Sequence, residues 1–107
     1  SQTGQFYKGN LRAGDVLESE ASIVIIGDVE RDAKVIAKGN IIVLGSLKGT
    51  AAAGAAGNLN AVIVAFEMAP AQAKISDLSL QKPQKGWFGR ICMEPIKKSF
   101  LSALNFI

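Results

Sequence analysis

The sequence predicts an all-β chain wound as a triangular parallel β-helix of six-residue units, closed by a short C-terminal strand and helix. Three observations carry this. Every sixth residue from Leu11 is apolar: Leu11, Leu17, Ile23, Val29, Val35, Ile41, Leu47, Ala53, Leu59, Ala65 and Ala71. Four residues further on the chain is small, at Gly27, Ala33, Gly39, Gly45, Ala51 and Gly57. Longer segments also repeat at three times that period, Ile23–Val29 matching Ile41–Leu47 and Gly39-Asn40 matching Gly57-Asn58.

The period has a direct physical reading. Four extended residues advance about 13 Å, and the next coil stacks through parallel hydrogen bonds about 4.8 Å away. A glycine, alanine or asparagine at the corner tolerates the change in φ that turns the chain. Three sides close one coil, so the inward positions form apolar columns. The strict period places Leu11, Val29, Leu47 and Ala65 in one column, Leu17, Val35, Ala53 and Ala71 in the second, and Ile23, Ile41 and Leu59 in the third.

Element by element, residues 1–7 are expected as a flexible lead-in or as sequence foreign to the domain, and residues 8–80 as the β-helix. Within it, Ile23–Ile26 and Ile41–Leu44 are rich in β-branched residues, which disfavour a helix, and the glycines recur too often for one. No Asn-Gly or Asp-Gly pair marks a tight hairpin. Lys74–Leu78 reads as the last coil strand. In the remainder, 81–107, Gln81–Gly86 is a polar loop, Trp87–Glu94 one more strand, and Ile96–Ile107 an amphipathic helix with Ile96, Phe100, Leu104 and Ile107 on one face.

Composition argues against enzymatic work. The 107 residues contain no histidine, which removes the commonest general base and a favoured zinc ligand. Cys92 stands alone between Ile91 and Met93, reading as a buried thiol in a reducing compartment rather than a nucleophile. Gly54-Ala55-Ala56-Gly57 lacks the Gly-Lys-Ser/Thr ending of a phosphate loop, and Asp28, Glu30 and Asp32 lack the glycine and terminal glutamate of a calcium loop. No catalytic residue, cofactor or metal is expected. The net charge of +3 is spread among acids, so no stripe for nucleic acid is visible. No signal peptide is apparent, and the uncharged run Gly49–Phe66 is too rich in Gly, Ala and Asn to span a bilayer.

Four segments in order then resemble a known family. Gly9–Asp15, Ile26–Val29, Val35–Ile41 and Leu47–Gly54 are similar to the C-terminal domain of the septum-site-determining protein MinC, over about residues 8–80. The resemblance implies a right-handed coil, in line with the general bias of parallel crossovers. It implies a cytoplasmic homodimer that docks on the membrane-associated ATPase MinD. Through that partner a division inhibitor acting on FtsZ reaches the inner face of the cell membrane. The family's docking motif, Arg-Ser-Gly-Gln, is here Arg12-Ala13-Gly14-Asp15, and its Asn-Pro-Gly-Ala corner is Glu30-Arg31-Asp32-Ala33. The resemblance thus makes Arg12, Ala13, Gly14 and Asp15 partner-binding candidates, with Lys48 a further one. Arg12 leads, because a guanidinium fork suits a carboxylate or backbone carbonyls. The plainer alternative is a solvated Arg12 beside a corner glycine.

Two further readings compete. A self-polymerising, bactofilin-like scaffold is also a stack of small apolar coils. The segment 96–107, with Lys97 and Lys98 beside Phe100 and Leu101, is read as a cap or dimer contact, or else as a membrane-surface helix.

Overall fold

The computed structural model describes residues 4–79, and among these there is no helix. The strands are β1 (Gln5–Lys8), β2 (Val16–Ser19), β3 (Ile23–Ile26), β4 (Lys34–Ala37), β5 (Ile41–Leu47), β6 (Thr50–Ala53), β7 (Ile63–Met68), β8 (Gln72–Ile75) and β9 (Leu78–Ser79). Odd and even strands separate. β1, β3, β5 and β7 pair in parallel as one sheet, while β2, β4, β6 and β8 pair in parallel as a second, with β9 antiparallel at its edge. The third side is narrow, a stack of single bridges from Leu11 to Val29 to Leu47. A parallel β-helix is the result.

The columns expected from the period hold in the first half and then slip. Ile23 pairs with Ile41 and Leu17 with Val35, both eighteen residues apart. The third coil cuts its Lys48-Gly49 corner short, so Val35 pairs with Ala51 and not with Ala53. It then lengthens the next corner, residues 54–62, so Ile41 pairs with Ile63 and Ala51 with Ala73. Leu59 lies in that excursion at 47% exposure, and Ala71 is exposed. Ala65 instead stacks on Val43 one coil up, while Met68 follows Leu47. A strict period cannot foresee this, because a corner carries no register of its own: only the strands must align.

Each wide side contributes two inward rows. In the first sheet these include Ile23, Ile41 and Ile63, then Ile25, Val43 and Ala65, all buried. The second sheet answers with smaller residues, Val35, Ala51 and Ala73, then Ala37, Ala53 and Ile75. Large side chains on one wall against alanines on another suit a narrow triangular interior. Burying each isoleucine stabilises the coil by about 1.5–3 kcal/mol.

Corners are closed by side chains that bond to the coil above. Asn10 Oδ1 accepts the Asp28 N–H and Asp28 Oδ1 accepts the Ser46 N–H, each at 2.8 Å. At a second corner Ser22 Oγ accepts the Asn40 N–H, and Asn40 Oδ1 the Val62 N–H, each at 2.9 Å. Gly45 is needed beside the first column because a Cβ there would run into the Gly27 carbonyl oxygen.

Two further expectations change. The first strand opens at Gln5, inside the stretch read as lead-in, because Gln5–Lys8 pair in register with Ile23–Ile26. The last coil strand is Gln72–Ile75. The chain then reverses at Ser76, whose φ of 58° is left-handed, so Leu78 pairs back on Ile75 in a hairpin. The strand 87–94, the helix 96–107 and Cys92 lie outside the described residues.

Candidate functional site: a charged corner ridge

Arg12-Ala13-Gly14-Asp15 forms the corner between the narrow side and the second sheet. Leu11 points inward and is buried, so the four residues after it are exposed. The Asp15 N–H donates to the Arg12 carbonyl at 2.8 Å, and the Arg12 N–H donates to Asp15 Oδ2 at 2.8 Å. Gly14 takes a φ of 90°, a conformation that favours glycine, and its N–H donates to the Asp32 carbonyl at 2.9 Å. One coil up, Asp32 occupies the equivalent place with a φ of 64°.

Lys48 follows Leu47 as Arg12 follows Leu11, and Leu11, Val29 and Leu47 are stacked. The structure therefore brings Lys48 to the same ridge as Arg12, two coils along, or roughly 10 Å at 4.8 Å per coil. Glu30 and Arg31 stand between them. The shortened Lys48-Gly49 corner leaves an open groove of about 320 Å³ lined by Arg31, Asp32, Lys48, Ala69, Pro70 and Ala71. Among the described residues Arg12, Arg31 and Lys48 have no ion pair, the sole pair being Lys38–Glu20 at 2.6 Å. The ridge thus offers cations and a rigid backbone edge, not a pocket that encloses a reacting molecule. Among the described residues no group of three His, Cys, Asp or Glu side chains is placed to hold a metal, and no helix is long and apolar enough to cross a membrane.

Two features escaped the sequence reading. The 69–71 segment packs over the short Lys48-Gly49 corner, its Ala71 N–H donating to the Gly49 carbonyl at 2.9 Å, and so shares a groove with Arg31. The outer face of the first sheet is apolar as well as the inner one. Phe6, Val24, Ile42 and Val64 form one outward row, and Ile26 and Leu44 belong to the next, with Phe6 74% and Ile26 40% exposed. The signal was present. Ile23–Ile26 is apolar at every position, the mark of a strand covered on both faces.

The fold is a parallel β-solenoid with an exposed charged ridge and an outward row of apolar residues. Comparisons with known proteins give its family. The family described as "Septum formation inhibitor MinC, C-terminal domain" matches residues 5–101, and the chain belongs to that family. It is 48% identical over 81 residues to the probable septum site-determining protein MinC of Agathobacter rectalis, covering 76% of this chain and 33% of that protein. It is 52% identical over 84 residues to the corresponding protein of Lachnospira eligens, covering 78% and 34%. The chain spans about a third of the length of these relatives. Among solved structures it is similar to a chain of the MinC:MinD cell division protein complex of Aquifex aeolicus. The TM-score is 0.74 at 41% identity, over 78% of this chain and 70% of that one. These relationships do not favour the bactofilin-like reading.

Proposed function

We propose that this domain is the dimerisation and docking module of a division inhibitor that places the septum. It binds a MinD-type ATPase and through it reaches the inner face of the cytoplasmic membrane, where the inhibitor acts on FtsZ, a target this domain serves only indirectly. The observation that carries the reading is the likeness to a chain of a MinC:MinD complex, at 41% identity and a TM-score of 0.74. The docking surface is the corner ridge: Arg12 at its head, Ala13 and Gly14 leaving room for close backbone approach, Asp15 closing the turn, and Lys48 two coils on. The domain itself performs no catalysis and uses no cofactor.

Dimerisation uses the outer face of the first sheet. Its row of Phe6, Val24, Ile42 and Val64, with Ile26 and Leu44 beside it beyond Lys8, forms a largely apolar surface of the kind that marks interaction sites. Two copies joined there carry two ridges, and two modest contacts to membrane-held partners act at high effective concentration.

Arg12→Glu tests the docking reading. It is expected to abolish co-sedimentation with ATP-loaded MinD on vesicles while leaving the melting temperature unchanged, since Arg12 is exposed. Undiminished binding by that variant overturns it.

A further inference from the structure

The upper coils reveal what the Arg12 amide would otherwise lack. The Glu30 N–H donates to the Leu11 carbonyl, and the Lys48 N–H to the Val29 carbonyl, each at 2.8 Å. Each takes its acceptor from the coil beneath. Arg12 holds the same place in the first described coil, where no coil lies beneath it among the described residues. Its N–H donates instead to Asp15 Oδ2 at 2.8 Å, and the Asp15 N–H returns to the Arg12 carbonyl at 2.8 Å. The turn is closed from both ends.

An aspartate suits this role because its short side chain reaches back to a nearby backbone amide, as it does in Asx turns and helix caps. Position 33, which stacks above Asp15, is alanine, and there the Glu30 amide is already satisfied by Leu11.

We propose that Asp15 is a positioning residue: its carboxylate serves as acceptor for the Arg12 amide, the part played at Glu30 and Lys48 by carbonyls of the neighbouring coil. It thereby holds Arg12 in the direction needed for docking, without itself touching the partner. This rests on the docking reading above. The carboxylate is engaged with the chain's own backbone, whereas the Arg12 guanidinium has no ion pair among the described residues.

The test combines amide exchange at Arg12, read by NMR on the full 107-residue chain, with titration against ATP-loaded MinD from the same organism. Asp15→Ala is expected to speed Arg12 exchange and weaken binding about 3- to 10-fold, the range of a lost cap. Asp15→Asn, whose amide oxygen accepts the same N–H, keeps both properties within about 2-fold despite losing the charge. In an Arg12→Ala background, Asp15→Ala adds no further loss, because it acts through Arg12. Unchanged Arg12 exchange in Asp15→Ala overturns the proposal. So does a loss with Asp15→Asn equal to that with alanine, which makes the charge itself the contact. Full additivity with Arg12→Ala likewise overturns it. Failure of the unaltered chain to bind MinD overturns the docking reading and, with it, the role given to Asp15; the variant results overturn the latter alone.

Discussion

Leu59 and Ile63 decide between a strict six-residue period and the register the coils adopt. The period puts Leu59 in the column under Ile41, whereas the structure pairs Ile41 with Ile63, which is fully buried, and leaves Leu59 47% exposed. Truncating Ile63 to alanine removes three carbons from a closed interior. Transfer alone costs about 0.8 kcal/mol per methylene, or roughly 2.4 kcal/mol. Pairing of β7 with β5 holds one side of the site in place and limits its collapse into the space. A cavity of roughly 50 Å³ at about 24 cal/mol per Å³ then adds about 1 kcal/mol. The expected loss for Ile63→Ala is about 3–4 kcal/mol, a large fraction of a small domain's stability. Leu59→Ala should cost no more than about 1 kcal/mol. Urea unfolding reads both, provided the slope with denaturant stays constant so that midpoint shifts report stability. Equal losses for the two variants, or a loss below about 1 kcal/mol for Ile63→Ala, would refute the register and the column built on it.

Two other outcomes follow from the same geometry. Asp32 adopts a φ of 64° where its counterpart one coil below is Gly14, so Asp32→Gly should raise stability by about 0.5–1 kcal/mol, seen as a higher melting temperature; a fall would show that the side chain is needed there. Ile42→Lys places a charge in the outward apolar row of the first sheet, and sedimentation equilibrium should report a monomer with melting little changed, whereas a persistent dimer would move the interface elsewhere.

Much of this architecture is legible in the residues, and the rest is lost for identifiable reasons. The apolar hexads from Leu11 to Leu47 state the coil, because over that span all three corners keep the same length and the columns repeat without slippage. Beyond Leu47 the corners change length, and glycine and alanine at 49–57 look the same whether they turn in two residues or nine. The hairpin at Ser76 was invisible because its turn rests on a serine at positive φ, not on an Asn-Gly or Asp-Gly pair. Of the candidate ridge, Arg12 to Asp15 and Lys48 came from family likeness, and their common edge follows from the stacking of Leu11, Val29 and Leu47. Arg31 shares that stacking, but the approach of residues 69–71 to it needed coordinates, because no local pattern announces that the Lys48-Gly49 corner is short.

The corner ridge is unusual among recognition loops in being bonded to neighbouring coils. Gly14 is tied to Asp32, Glu30 to Leu11, and Lys48 to Val29. A partner meeting this edge finds its backbone already ordered, so little conformational entropy is surrendered on contact. Such a surface behaves as a fixed ruler, with marks about 4.8 Å apart. It can reward a partner whose groups match that spacing and has little capacity to remould itself around one whose groups do not.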